Sequence, residues 1–209
     1  MLFRSTVTPR LKSQIKGARV IAADSGMMHA AALHIMPELW VGDFDSAGSE
    51  LTMQYRDVPR ETFPAEKDAT DGDIAVDAAI RRGATEIILL GGLGGQTDHT
   101  AGLLGQSIRI ARTGVACLLT SGVEEAWPLI AGHLHLELPA ETRLSVIPFT
   151  DLQGLDLTGV KWPLANRDVA GRADARQDLL VAVATGAIVH RRHGRRPAPD
   201  DGRGDTALH

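Results

Sequence analysis

Short apolar runs alternate with helix signals between residues 8 and 120, and this alternation constrains the fold more than any other feature of the chain. The runs ARVIAAD, ELWVGD, TEIILLGG and VACLLT have the length and apolar content of buried strands. Because helix signals separate them, the pattern is typical of helices packed on a mostly parallel sheet. The sequence therefore predicts an α/β fold whose N-terminal part is a doubly wound, mostly parallel sheet.

Capping residues mark the ends of the predicted helices. Three helices are expected, from Thr8 to Gly17, from Thr70 to Gly83 and from Asp98 to Arg112. Thr8 precedes a proline, which favours the first position of a helix. Asp73 stands three residues after Thr70, the spacing of a capping box.

The pattern changes after about residue 121, where apolar runs are short and are separated by glycine and proline. HLHLEL alternates strictly, and RLSVIPF, LQGLDLTG and DLLVAVATGAIV follow it. These runs predict strands of an all-β sandwich over residues 121–192, after an α/β domain over residues 1–120. A β-subdomain that continues the first core is the alternative. Residues 193–209 carry almost no apolar side chains and are predicted to be a disordered tail.

Composition limits the kinds of partner. The chain has 209 residues, 44% of them hydrophobic, which is enough for a substantial core. Its formal net charge of -4 gives no overall basic field, so neither nucleic acid nor an anionic membrane is an expected partner. Cys117 is the single cysteine and lies in an apolar run, where a buried strand residue is expected. No signal peptide or membrane span is apparent, so we expect a cytoplasmic protein.

Aspartates follow predicted strands or begin predicted helices in four segments. Because the carboxyl ends of parallel strands form the ligand crevice of such sheets, we expect these side chains to converge. Carboxylates that lie close together repel one another unless a cation compensates, and hard oxygen ligands with room for phosphate indicate Mg²⁺. The residues concerned are Asp24, Asp43, Asp45, Asp68, Asp71 and Asp98.

Each motif also has a structural interpretation. Aspartates at strand ends form turns and caps, and those at helix starts are stabilised by the helix dipole. The glycines of GGLGG at 91–95 can bring backbone amides to a phosphate, but the Walker and dinucleotide spacings are absent. Lys67 is either a phosphate contact or a solvated lysine. His99 is either a ligand or a cap, and Trp162 either stacks on a planar ring or packs in a core.

Four motifs in this order resemble the thiamine pyrophosphokinase family: GDFDS at 42–46, KDATD at 67–71, GGLGGQTDH at 91–99 and VKWPL at 160–164. The resemblance implies that residues 1–120 form an α/β nucleotide-binding catalytic domain and that residues 121–192 form a β-sandwich that binds thiamine. It also implies a homodimer that transfers diphosphate from ATP to the hydroxyl group of thiamine and releases AMP.

Site residues follow from the matching motifs. The resemblance implies that Asp43, Asp45, Asp68 and Asp71 form the catalytic and magnesium-binding site. The expected substrate and nucleotide contacts are Asp24, Ser46, Lys67, Thr70, Gly94, Gly95, Asp98, His99 and Trp162. The family places Trp162 opposite thiamine across the dimer interface.

Two alternatives remain at the level of the sequence. One is diphosphorylation of another alcohol, such as a hydroxymethylpterin, at the same acidic centre. The other is a protein that binds nucleotide or thiamine without turnover. A phosphatase of the haloacid dehalogenase type is disfavoured, because Ala47 stands where its motif carries Thr or Val.

Overall fold

A computed structural model describes residues 5–44, 48–63, 69–94, 96–171 and 179–185 of the chain. Helices and strands alternate in the first half of these residues, and strands dominate the second half. In chain order the elements are α1 (Pro9–Gln14), β1 (Ile21–Ala23), α2 (Met27–Leu33), β2 (Leu39–Gly42), α3 (Ser49–Gln54), β3 (Arg60–Thr62), α4 (Asp71–Arg81), β4 (Glu86–Leu90), α5 (Thr97–Arg112), β5 (Ala116–Thr120), β6 (Glu124–Ile130), β7 (Arg143–Pro148), β8 (Leu152–Leu157), β9 (Leu164–Val169) and β10 (Leu179–Thr185).

The first sheet is parallel and has the order β1-β2-β3. Its central strand β2 is buried along its whole length. Since alternate residues of a strand point to opposite faces, Trp40 packs with a cluster that includes Met27 of α2, whereas Val41 packs with Ala78 of α4. Helices therefore cover both faces of this sheet, as the doubly wound prediction requires.

The second sheet joins parallel and antiparallel strands in the order β4-β5-β6-β10-β7. β4 and β5 are parallel, whereas β5–β6, β6–β10 and β10–β7 are antiparallel. The predicted α/β class is confirmed, with parallel strands and helices first and a mostly antiparallel β region after them. The division of the chain at residue 120 stays a prediction, and the hydrogen-bonded sheet continues across that position.

A second layer forms where the antiparallel pair β8–β9 packs on the second sheet. Leu152 of β8 and Ala182 of β10 are buried in this contact, and Trp127 and Val146 pack against them. The apolar faces of the two layers therefore meet, which is the packing expected of a sandwich.

The strand predicted for HLHLEL is wrong, because residues 133–138 are irregular chain. Leu136 does pack against the core and Leu138 is half-buried, whereas Leu134 is exposed, so the alternation corresponds only in part to a buried face. Alternation does not supply a hydrogen-bonding neighbour, however, and a strand needs one. The structure instead forms β6 a few residues earlier, and this strand was not predicted. Nor were α2, α3, β3 and β9.

Several other predictions can be placed. The three predicted helices correspond to α1, α4 and α5. Cys117 is 8% exposed in β5, which confirms the buried strand residue, and burial raises the pKa of its thiol to about 12. The predicted tail and the end of DLLVAVATGAIV lie outside the described residues. No described helix is long and apolar enough to cross a bilayer.

Candidate active site

The ends of β1 and β2 bring two predicted site residues together. Asp24 follows β1 and opens a short 3-10 turn, and Asp43 follows Gly42 at the end of β2. A Cβ on Gly42 would lie 3.2 Å from the Cα of Asp24, so the two chain segments approach closely at this point. Glycine at position 42 therefore permits the segment carrying Asp43 to pass beside Asp24.

Trp40 of β2 contacts the residue that follows β1. Its indole Nε1 donates a hydrogen bond of 3.0 Å to the carbonyl oxygen of Asp24, and its ring is fully buried. Phe44 packs edge-on against it at 5.0 Å between ring centroids, with a backbone φ of 64°. Left-handed backbone at Asp24 and Phe44 is strain of the kind that clusters at functional sites.

A cavity of about 1650 Å³ lies between β1 and β4, which do not pair with each other in the described chain. Its walls include both strands and the first turns of α4 and α5. Five of the predicted site residues line it, namely Asp24, Thr70, Asp71, Asp98 and His99. Three of the six aspartates that were predicted to converge, Asp24, Asp71 and Asp98, therefore line one cavity, and their convergence at a common site stays a prediction.

The other predicted site residues do not line this cavity or are not described. Asp43 follows Gly42, whose backbone passes close to the cavity residue Asp24. Gly94 lies near Glu124, since a Cβ on Gly94 would lie 3.9 Å from the Glu124 carboxylate. Trp162 lies between β8 and β9 with 75% of its surface exposed, and it is not among the cavity walls. The remainder lie outside the described residues: Asp45, Ser46, Lys67, Asp68 and Gly95.

The first turn of α4 is fixed by a capping box, as the Thr70 and Asp73 spacing predicted. The Asp73 amide donates to Thr70 Oγ1 at 3.1 Å, and the Thr70 amide donates to Asp73 Oδ2 at 3.1 Å. Asp71 is the first residue of this helix, where the dipole favours negative charge. Thr70 is thus observed as a cap on the wall of the cavity.

Contacts from α5 also reach Asp73. Gln106 Nε2 donates to Asp73 Oδ1 at 2.9 Å, and Arg109 Nη2 donates to the same oxygen. Burial acts to raise the pKa of Asp73, but the hydrogen bonds from Thr70 and Arg109 and the charge of Arg109 outweigh it. The pKa therefore lies below its ordinary value and Asp73 is ionised at neutral pH.

Asp98 and His99 occupy the first turn of α5 and also line the cavity. The His99 amide donates to Asp98 Oδ1 at 2.8 Å, so this carboxylate caps its own helix. Both side chains are exposed. Asp71 and Asp98 thus stand at the positive ends of two neighbouring helices, which favour anionic groups.

His29 is a cavity residue that the sequence analysis missed. It belongs to α2, and its Nε2 would lie 2.6 Å from a Cβ on Gly91, the residue after β4. The imidazole makes no hydrogen bond to any part of the chain that is described, and burial lowers its pKa. The sequence signal that could have identified His29 is its position in the first turn of a helix that begins three residues after Asp24.

The donor chemistry of this edge suits magnesium. Among the described residues, no three Asp, Glu, His or Cys side chains come close enough to enclose a metal ion. Mg²⁺ prefers an open arrangement of one or two carboxylates completed by water and phosphate. Asp24, Asp71 and Asp98 supply carboxylate oxygens, the ligand type that Mg²⁺ prefers, to the lining of one cavity.

Comparison with known proteins assigns the family. Residues 12–119 match the family model described as thiamin pyrophosphokinase, catalytic domain. The thiamine pyrophosphokinase of Bacillus subtilis (strain 168) is 32% identical over 154 residues, which cover 70% of each chain.

Solved structures share the fold. The crystal structure of the Bacillus subtilis thiamine pyrophosphokinase aligns with a TM-score of 0.74 at 24% identity, covering 87% of this chain and 94% of that one. The thiamin pyrophosphokinase of Geobacillus thermodenitrificans aligns with a TM-score of 0.72 at 23% identity, covering 86% and 92%. With the family model matching more than half of its length, this chain belongs to the thiamin pyrophosphokinase family.

Proposed function

We propose that this chain transfers diphosphate from ATP to the hydroxyl group of thiamine and releases thiamine diphosphate and AMP. The observation that carries the proposal is the cavity lined by Asp24, which follows β1, and by Asp71 and Asp98, which lie in the first turns of α4 and α5. All three residues lie within the segment that matches the catalytic domain of the family. Because ATP is the donor, we assign the reaction to the cytoplasm.

The helix starts at the cavity suit a polyphosphate. α4 and α5 direct their first backbone N–H groups and the positive ends of their dipoles towards this edge, which favours anions. The site for the Mg²⁺ that would neutralise phosphate charge would be formed by Asp43, Asp45, Asp68 and Asp71, of which one or two carboxylates would bind the ion directly.

In the proposed reaction the thiamine hydroxyl oxygen attacks the β-phosphorus of ATP. The bond from that phosphorus to the oxygen bridging to the α-phosphate breaks, and AMP leaves. Asp71, first in α4, accepts the hydroxyl proton. Positioning and electrostatic stabilisation supply most of the rate, because phosphoryl transfer needs little covalent help from a protein.

We further propose a homodimer in which Trp162 contacts the thiamine bound by the partner. The indole is 75% exposed, and the Lys161 ammonium lies 4.8 Å from its ring centroid. A large aromatic side chain with this exposure is typical of contact surfaces, where tryptophan is enriched.

The test is to incubate the protein with ATP, Mg²⁺ and thiamine and to follow AMP and thiamine diphosphate by mass spectrometry. We expect AMP to form only when thiamine is present. Asp71→Asn should lower the rate by about 10²-fold or more, because it removes a carboxylate from the reacting centre. Asp77→Asn changes an exposed aspartate of the same helix and should retain the wild-type rate.

Other results would redirect the assignment. AMP formation with a hydroxymethylpterin but not with thiamine would move the proposal to another alcohol. ATP binding without AMP formation from either alcohol would contradict diphosphate transfer and favour a binding protein.

A further inference from the structure

The helices that carry Asp71 and Asp98 are joined by a small polar cluster formed by Asp73, Gln106 and Arg109. Gln106 and Arg109 lie three residues apart on α5 and therefore share one face of that helix. Both donate to Oδ1 of Asp73 in the first turn of α4.

Both carboxylate oxygens of Asp73 accept hydrogen bonds. Oδ2 accepts from the amide and the hydroxyl of Thr70 at 3.1 and 2.8 Å, while Oδ1 accepts from the two α5 residues. A carboxylate bonded in this way is held by its own helix on one side and by α5 on the other. Its contacts therefore fix the orientation of the turn that begins at Asp71.

One member of the cluster, Gln106, is a buried polar side chain whose hydrogen bonding is incomplete, which lowers the stability of the folded protein. Gln106 is 6% exposed, and its Oε1 is buried without a hydrogen-bond partner among the described residues. A buried acceptor without a partner is destabilising, so an apolar residue would suit a purely structural contact better. Arg109 is mostly exposed, and exposed ion pairs add little to global stability. The cluster is therefore better explained by a role in orienting the first turn of α4 than by a contribution to the global stability of the protein.

We propose that Asp73 is a positioning residue, which Arg109 and Gln106 hold so that Asp71 faces the cavity shared with Asp98. This inference rests on the proposed function. Small displacements of a reacting group cost about 10²-fold in rate, so loosening the turn should act on catalysis more than on folding.

The experiment compares Arg109→Met with Arg112→Met, a change of the exposed arginine one turn further along the same helix. We expect Arg109→Met to lower kcat at least tenfold and to raise the Mg²⁺ concentration that gives half-maximal rate. Its melting temperature should fall by no more than about 3 °C. Arg112→Met should match the wild type in all three measurements.

Two further variants separate positioning from folding. Arg109→Lys keeps the charge and should recover part of the lost kcat. Asp73→Asn combined with Arg109→Met should be no slower than the slower single variant, because both break one contact. A large fall in melting temperature with an unchanged kcat and Mg²⁺ dependence would overturn the inference and leave the cluster a structural one.

Failure of the proposed function is detected separately. If the wild type makes no AMP with thiamine, calorimetric titration with ATP and Mg²⁺ decides the inference. Binding weakened at least threefold in Arg109→Met but not in Arg112→Met would support positioning. Equal binding in all proteins, or no binding by the wild type, would overturn it.

Discussion

Close contact between Gly91 and His29 makes position 91 sensitive to a single methyl group. Gly91 has a φ of 85°, and a Cβ there would lie 2.6 Å from His29 Nε2. The residue combines a left-handed backbone with a lack of space, so only glycine suits it.

Gly91→Ala is expected to destabilise the protein by about 1–3 kcal/mol, the cost of a strained left-handed residue. Gly102→Ala is the matched control, because Gly102 lies within α5 and a Cβ there meets no atom within 4 Å. It should stabilise by about 0.5–1 kcal/mol, since alanine is the better helix former. Urea unfolding measures both, and a Gly91→Ala protein as stable as the wild type would refute the contact.

His29 predicts a pH dependence of stability. Burial lowers the pKa of His29 in the folded protein, so the unfolded chain binds the proton more tightly. The stabilising contribution is complete above the unfolded pKa of about 6.5 and is lost as the pH falls through the lower folded value. Between pH 7.5 and 5.5, His29→Gln should therefore lose less free energy of unfolding than the wild type.

The control for this measurement is His133→Gln, which changes an exposed imidazole and should leave the pH dependence as it is in the wild type. If His29→Gln and the wild type lost equal stability over the same interval, the imidazole would not be held in its neutral form.

Features that depend on residues close together in the chain, such as helix caps, could be predicted from the sequence. The capping box of Thr70 and Asp73 depends on residues three apart, and the spacing alone predicted it. The contacts of Asp73 with Arg109 and of His29 with Gly91 join residues far apart in the chain. Sequence spacing carries no trace of such contacts, so tertiary structure was needed to find them.

The docking of α1 on β6 depends on one buried carboxylate. Glu125 is 1% exposed, and Arg10 binds it with both Nε at 2.5 Å and Nη2 at 2.7 Å. Gln14, one turn further along α1, donates to it at 2.8 Å. Two residues of the first helix thus compensate a charge inside the second sheet.

Arg10→Met is expected to cost about 3–5 kcal/mol, because it leaves the Glu125 carboxylate buried without its cation. Arg19→Met, which removes an exposed pair with Glu38, should have a much smaller effect. Arg10→Met combined with Glu125→Met should recover much of the loss. Denaturant midpoints no lower for Arg10→Met than for Arg19→Met would contradict this account.

The same ion pair explains why β6 was missed. EEAWPLI begins with two charges and contains a proline, features that argue against a strand inside a sheet. Arg10 lies 115 residues away and compensates Glu125, which no local pattern reveals. HLHLEL gave the opposite error, because its alternation is strict but none of the described strands pairs with it.

At the scale of the whole molecule, order and spacing of motifs predicted more than any single motif. Aspartates placed after strands and at helix starts predicted a common site, and Asp24, Asp71 and Asp98 do line one cavity. The cavity itself was not predictable, because it depends on β1 and β4 remaining unpaired in the described chain. Ligand crevices of α/β sheets form outside the carboxyl ends of their strands. Asp24 and Gly91 place one end of this cavity there, and the cavity extends along both strands to Ala18 and Thr85 at their amino ends.

The most direct test of diphosphate transfer follows the phosphorus atoms. ATP labelled at the β-phosphorus is incubated with the protein, Mg²⁺ and thiamine, and the labelled products are separated. Transfer of diphosphate predicts that the label appears in thiamine diphosphate, in equal amount to the AMP formed. Label that stays in ADP, or that is released as free phosphate or diphosphate without labelled thiamine diphosphate, would contradict the proposed reaction.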